Sequence, residues 1–446
     1  MNVVPLSRDY IDKFYKQFRL YYKLKQLETF IPIFNEFKEI HSPHRFNNIY
    51  VLKKLLNKLF RVGLTGYVFK ALVSNKRNNY NFYQKIFIKE LPIFNPFYYY
   101  KFQHINLNHH SIPNPYNHKL LTEYFSINNS AYIECFVSSL LSKLVENNVT
   151  PHFPNYYGHF TTILDKATYN INGSYDKIKN DGKFKKKFYK YKGQYHIQYK
   201  NFPSILICQE YIDLSFDEFI TKQVMGNLAK IDDIILSIIF QVSAGLFIIH
   251  DNITHNDLHL GNIMFKKTDK RYIYYKYKKK IYRIPTFGYI LKIIDWGRAT
   301  IQYKHLNLTN SVFSYNGDAY QQYYFPNLNP NRKTDITPSK SIDLSVLLYQ
   351  LKNEEVTQFV NSNIRNFLDK YTTLSNKSLD SKYKENNIFD FQMYQDFNKY
   401  AHKATAGNII TNQIFKKFIQ KKQPRKTIYY KLRAGTGLTG SLEFKG

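Results

Sequence analysis

Cysteine is nearly missing from this chain. Cys135 and Cys208 are the only two in 446 residues. A disulfide framework needs more, and neither cysteine sits in a metal-type spacing. The expectation is a reducing, cytoplasmic-type compartment. Acidic side chains are also scarce: Asp and Glu total 33 against 64 Lys and Arg, a formal charge of +31. Such an imbalance predicts attraction to phosphate-rich partners, namely nucleic acid, nucleotides, anionic lipid or acidic proteins. Long apolar runs are lacking too. The most apolar one, Ile234 to Ile249, falls short of the ~20 residues that span a bilayer, and Ser237, Gln241 and Ser243 interrupt it. It reads as a buried helix. The opening "MNVVPLSRDYIDKFYKQ" has no apolar core of a secretory signal. A soluble protein is expected, and no internal repeat is visible.

What is abundant is aromatic side chain. With 41 Tyr and 36 Phe in a chain that is 43% hydrophobic, the protein can bury a sizeable core, and wholesale disorder is excluded. The length suits one large domain or two to three smaller ones. Residues 1 to about 50 are basic and aromatic with a helical flavour in "RDYIDKFYKQFRLYYKLKQLETF". From Leu59, "LFRVGLTGYVFKALV" predicts strand, tight turn, strand, and "QKIFIKELPIF" a third strand. A loop-rich insertion follows Pro96. "NNSAYIECFVSSLLSKLVEN" has apolar residues at helical spacing behind Asn/Ser capping candidates. "FTTILDKATYNI" and "FPSILICQEYI" predict further strands, separated by a basic, tyrosine-bearing segment. After Tyr211 the chain turns helical, in "SFDEFITKQV", "KIDDIILSIIFQVSAGLFIIHDN" and "SKSIDLSVLLYQLKN". The short strands "NIMFKK" and "YILKIIDWG" flank a second basic insertion, "KKTDKRYIYYKYKKKIYR". The glycine-rich end is expected to be mobile. This order, strands first and helices second, is an α+β layout with a cleft between two lobes.

Chemistry concentrates in "HDNITHNDLHLGNIMF". Asp257 and Asn262 share a loop after the buried helix, where an aspartate can meet a substrate hydroxyl and an asparagine a metal ion. Asp295 ends an apolar strand in "LKIIDWG", a position suited to a metal that bridges phosphates.

These stretches resemble the protein kinase-like family: "HNDLHLGN" is similar to its H-x-D-x-x-x-x-N catalytic loop, and "DWG" stands where D-F-G is expected. The resemblance runs from about Leu59 to about residue 360 in correct linear order. It implies a bilobal fold, a strand-rich N-lobe and a helical C-lobe with basic insertions. Its implied divisions are an extension over 1–58, the N-lobe over 59–209, the C-lobe over 210–402 and a tail over 403–446. It implies ATP and Mg2+ as cofactors. "GLTGYVFKA" resembles the glycine-rich loop, with Gly63, Gly66 and Val68, although Arg61 stands where a first glycine belongs. "IFIK" implies Lys89 as the phosphate-binding lysine, with Lys85 as its competitor on the same strand. Glu134 is the implied ion-pair partner, against Glu123 and Glu146. In "ICQEYID", Glu210 and Ile212 would hold adenine through their backbone, with Gln209 behind them. Asp257 would be the catalytic base, Asn262 and Asp295 the metal ligands, His255 a loop anchor, and Asp343 the buried support of the loop.

Departures from the family pattern carry information. Asn256 replaces the arginine that answers a phosphorylated activation loop. His259 occupies the lysine position of serine/threonine kinases and resembles haspin-like and aminoglycoside-type kinases. No A-P-E follows "DWG". The resemblance implies a serine/threonine protein kinase acting on a protein. Two alternatives stand beside it: a small-molecule kinase, and a pseudokinase or basic scaffold that binds nucleic acid or another polyanion through the Lys/Tyr-rich insertions. The composition and compact insertions resemble kinases of large DNA viruses, which would put the protein in host cytoplasm or a virion.

Overall fold

The computed structural model describes residues 24–28, 49–62, 65–96, 126–170, 188–191, 193–224, 228–303, 306–315, 317–331, 334–373, 391–420 and 429–433. The chain divides into two compact units: Met1–Cys135 with Tyr156–Tyr211, and Phe136–Asn155 with Ile212–Gly446.

The first unit is built on an antiparallel six-stranded sheet of β1 (Leu24–Glu28), β2 (Tyr50–Val62), β3 (Gly66–Asn75), β4 (Tyr80–Pro92), β5 (Tyr156–Leu164) and β9 (Phe202–Glu210), in the order β1-β5-β9-β4-β3-β2. β-branched and aromatic residues dominate the central strands, which suits a buried pleated surface, and β9 is buried from Phe202 to Cys208. Two sequence expectations change here. Leu24–Glu28 is a strand paired to β5, not helix. Tyr50–Lys58 belongs to the sheet rather than to an N-terminal extension, because Val51, Leu52 and Leu55 are buried in it. The first basic segment folds into a small sheet of β6 (Ala167–Asn170), β7 (Phe188–Tyr191) and β8 (Gln194–Tyr199), in the order β6-β8-β7. Helix α1 (Ser130–Glu146) follows Asn129, whose side chain accepts from the Ala131 N–H (3.0 Å) and donates to the Ile93 carbonyl (2.7 Å). That satisfies one of the orphan donors of a helix start.

The second unit centres on α3 (Ile231–Ile249), which is buried along nearly its whole length. Leu228–Ile249 is long and apolar enough to cross a membrane by composition, yet 89% of its most apolar window is buried within the protein. Two of its three polar interruptions are satisfied in place: Ser237 Oγ donates to the Pro285 carbonyl (2.6 Å) and Gln241 Oε1 accepts from the Leu291 N–H (3.1 Å), while the buried Ser243 hydroxyl has no hydrogen-bond partner among the described residues. Around it lie α2 (Phe216–Val224), α4 (Ile342–Asn353), α5 (Ser362–Thr372), α6 (Phe391–Tyr400) and α7 (Ala406–Ile410). Two further sheets are β10 (Leu214–Ser215), β12 (Ile263–Lys267), β15 (Tyr289–Ile293) and β11 (Ile253–Thr254), β16 (Thr300–Tyr303), β17 (Leu306–Leu308). The second basic insertion is a regular hairpin, β13 (Tyr272–Tyr277) and β14 (Lys280–Pro285), extended by β18 (Tyr430–Lys431). Residues 406–418 and 429–433 are therefore ordered structure rather than a tail, held by the buried side chains of Ile409, Ile410, Phe415 and Tyr430. The glycine-rich end lies outside the described residues.

Candidate active site

In the first unit the start of β3 lies beside a lysine of β4. Gly66 closes the turn opposite Val62 and pairs with Lys89 across β3 and β4. A Cβ at Gly66 would come within 2.7 Å of both the Phe87 ring and the Val62 carbonyl, so only glycine fits. Gly63 lies outside the described residues. Val68 is fully buried two positions along. Lys89 extends to Glu134 of α1, with Nζ and Oε1 2.7 Å apart and the glutamate side chain 4% exposed. The competitors go elsewhere. Lys85 lies over the Tyr211 ring at 5.3 Å, and Glu146 pairs with Lys143 on its own helix at 3.0 Å. Glu123 is outside the described residues. Glu210 ends β9, opposite Ile86, while Gln209 faces Phe87. Ile212, two residues on, is buried in the second unit.

In the second unit one loop follows α3 and carries the polar residues. Asp343 of α4 anchors it: its two carboxylate oxygens accept the backbone N–H groups of His255 and Asn256, each at 2.8 Å. Burial pushes the Asp343 carboxyl up, and the two backbone donors with His255 work against that shift. His255 donates from Nε2 to the Ile294 carbonyl (2.9 Å) and accepts the Asp257 N–H at Nδ1 (3.3 Å), which sets its tautomer. Asn256 adopts a left-handed φ of 66°, a conformation asparagine tolerates. Its amide donates to the Thr254 and Arg298 carbonyls and to Thr300 Oγ1. In place of an arginine reaching outward, this residue closes the loop on itself.

Asp257 is held from two sides, by Arg298 Nη1 at 2.9 Å and by the Tyr394 hydroxyl at 3.2 Å, both on Oδ1. Asn262 ends a short 3-10 turn, Leu260–Asn262, and donates from Nδ2 to the Asp257 carbonyl at 2.9 Å. That commitment turns its Oδ1 into the atom available as a ligand. Its backbone carbonyl accepts from Ile294, the residue before Asp295. The antiparallel pairing of β12 with β15 thus brings Asn262 and Asp295 to the same end of two adjacent strands. Asp295 is exposed, with a left-handed φ of 63°; such strained backbone clusters at functional sites. His259 senses the whole group. Burial lowers its pKa, with Asp257 and Asp295 raising it and His255 and Arg298 lowering it. Its Nδ1 accepts from Gly261, and Nε2 lies 3.1 Å from Asn262 Nδ2. Trp296 is buried against His255 (4.5 Å between rings) and Phe153 (5.8 Å).

The second unit therefore brings together Asp257, Asn262 and Asp295, and the first pairs Lys89 with Glu134. Sequence reasoning missed Arg298, Tyr394 and Gln322, whose Nε2 donates to the Asn256 carbonyl (2.6 Å). Only Arg298, directly after "DWG", carried a positional signal. An oxygen from Asn262 and a carboxylate from Asp295 are hard ligands, and a pair of them suits a Mg2+ that takes its other ligands from phosphates and water. Among the described residues no cluster of three or more His, Cys, Asp or Glu could hold a metal by itself.

No protein-family model matches the chain. Two proteins of Acanthamoeba polyphaga mimivirus match part of it. "Putative serine/threonine-protein kinase R301" is 30% identical over 168 residues, 35% of this chain and 38% of that protein. "Putative serine/threonine-protein kinase R400" is 27% identical over 179 residues, 38% of this chain and 37% of that protein. The likeness is to kinases. It is distant and partial, and the chain spans well under half the length of the relatives it matches.

Proposed function

We propose that the chain is an ATP-dependent phosphotransferase with a two-lobed protein kinase-like fold. The γ-phosphoryl group would pass to a serine or threonine hydroxyl of a protein. The observation that carries this reading is the loop in which Asp257 and Asn262 are hydrogen-bonded together while the Asn262 carbonyl is tied to the residue before Asp295. Lys89, held by Glu134, would bind the α- and β-phosphates. Glu210 and Ile212 would meet adenine through their backbone groups. Asn262 and Asp295 would hold Mg2+, which when bound neutralises charge on the phosphates.

Asp257 would accept the proton of the attacking hydroxyl as the new O–P bond forms and the bond to ADP breaks. Arg298 and Tyr394 hold its carboxylate against rotation, so little reorganisation remains at the moment of transfer. Asn256 closes its loop without an outside anion, which supports a loop that works without activation-loop phosphorylation. A small-molecule acceptor is the second reading, favoured by His259 at the position next to Asp257 and Asn262. Both buried cysteines are free, which supports work in a reducing compartment such as infected cytoplasm.

The test is transfer of radiolabel from ATP to generic basic and acidic proteins by the native chain and by Asp257→Ala. The expected result is incorporation by the native chain and a loss of roughly a hundredfold or more in the variant. Equal incorporation by both ends the proposal.

A further inference from the structure

The second basic insertion has a use that phosphoryl transfer does not absorb. Between residues 266 and 285 the chain carries a run of Lys and Arg with Asp269 as its only acid. Folded as β14-β13-β18, this run separates its side chains by the period of two of a strand. One face is core: Ile273, Tyr275, Tyr282, Ile284 and Tyr430 are buried, with Tyr275 and Tyr282 packed on Phe240 of α3 at 5.3 and 4.9 Å. The opposite face holds what remains. Tyr272, Tyr274 and Lys276 occupy alternate positions along β13, Arg283 pairs across from Tyr274, and Lys431 across from Lys276, while Ile281 on the other side of Lys276 is buried and closes that corner of the face.

The chemistry of that face is rings interleaved with cations. Tyr272 stays 39% exposed, and the Arg283 guanidinium lies 4.4 Å from its ring centroid. Tyr429 meets Tyr274 edge to face at 6.2 Å. Lys276 and Lys431 are exposed. At one end the face opens into a cavity of about 550 Å³ lined by Lys230, Asp233, Arg271, Tyr272, Arg283 and Lys417. The acid in that cavity, Asp233, is bonded to Lys417.

We propose that this open sheet face binds single-stranded nucleic acid, with bases stacked on Tyr272 and Tyr274. Lys276, Arg283 and Lys431 would neutralise the phosphates. Neighbouring same-face positions on a strand stand roughly 7 Å apart, which gives separate bases separate rings. An acidic protein would use the cations and leave the exposed Tyr272 and half-buried Tyr274 rings without a role, and a duplex would hide its bases from them. The inference is independent of the phosphotransferase reading, since it concerns a different surface and needs no ATP.

The test is fluorescence anisotropy of a labelled oligothymidylate with the full chain, without nucleotide. Binding should weaken roughly tenfold or more across a fourfold rise in salt. Tyr272→Ala and Tyr274→Ala should each weaken it about five- to a hundredfold, and Tyr272→Phe should stay within about twofold of native. Lys276→Ala should weaken it and flatten the salt slope. Thermal midpoints of the variants identify any that misfold, and two independent ring positions keep the test decisive. Three results overturn the proposal: no binding at low salt, native binding by both Tyr→Ala variants, or equal displacement of the oligonucleotide by polyglutamate or by duplex DNA.

Discussion

The Tyr394 hydroxyl donates to Oδ1 of Asp257 at 3.2 Å, across 137 positions of sequence, from a helix that begins at Phe391. Arg298 donates to the same oxygen at 2.9 Å. Burial, followed by the neighbouring Asp257 charge, raises the Tyr394 hydroxyl pKa, so the phenol stays a donor throughout the working range.

Removing one of these donors should slow turnover while leaving the other. Tyr394→Phe should lower kcat about tenfold, the low end for a hydrogen bond to a charged group, since the donor is a neutral hydroxyl. Arg298→Ala should cost about ten- to a hundredfold, because both partners of its contact are charged. Steady-state phosphotransfer kinetics check both. Unchanged kcat in Arg298→Ala would mean that this clamp does not orient the reacting carboxylate.

The two lysines of β4 should separate cleanly. Lys89→Met should lower kcat/KM for ATP by about a hundredfold or more, as should Glu134→Gln to a lesser degree. Lys85→Met should leave it within about twofold, because that side chain is directed to the Tyr211 ring instead. A larger defect at Lys85 than at Lys89 would reverse the assignment.

Acid should weaken the second unit through His152. This fully buried ring contacts the Leu291 carbonyl (2.9 Å) and the Tyr275 hydroxyl (2.7 Å). Burial holds its pKa down to about 3, with the Leu291 carbonyl raising it and Lys292 lowering it. Above the unfolded value near 6.5 the ring is neutral in both states and its contribution is complete. As pH falls below that, the unfolded chain takes up a proton that the folded one refuses, and stability drains away toward pH 3. Between pH 6.5 and 5 the loss should be about 2 kcal/mol. Urea midpoints at the two pH values, for the native chain and His152→Gln, check this. An equal pH dependence in both would show that another group is responsible.

Trp296, the only tryptophan, follows Asp295 directly and packs at a tilt against His255. Its emission should change when ATP and magnesium are added together, and Asp295→Asn should suppress the change. A flat titration at millimolar nucleotide in the native chain counts against the proposed metal position.

Parts of this arrangement were legible because they are local. The spacing of His255, Asp257 and Asn262 lies within one loop, and the buried helix before it announced itself by its apolar run. The hairpin β13–β14 was not legible, since a strand rich in Lys and Tyr has no apolar face until packing on Phe240 selects one. The choice between Lys85 and Lys89 was closed to periodicity, and only the resemblance of "IFIK" favoured Lys89. They lie four residues apart on the same face of one strand, where periodicity treats them alike.

By itself the sequence determined the change from strands to helices between Leu59 and residue 360, the buried character of α3 and the grouping of Asp257 with Asn262, because each depends on neighbours within a few residues. Only the tertiary structure decided that Glu134 meets Lys89, that Asp343 and Tyr394 hold the loop, and that Asn262 stands beside Asp295. Those contacts join segments far apart in the chain. Burial and strand pairing choose them, and neither leaves a local signature in the residues that end up touching.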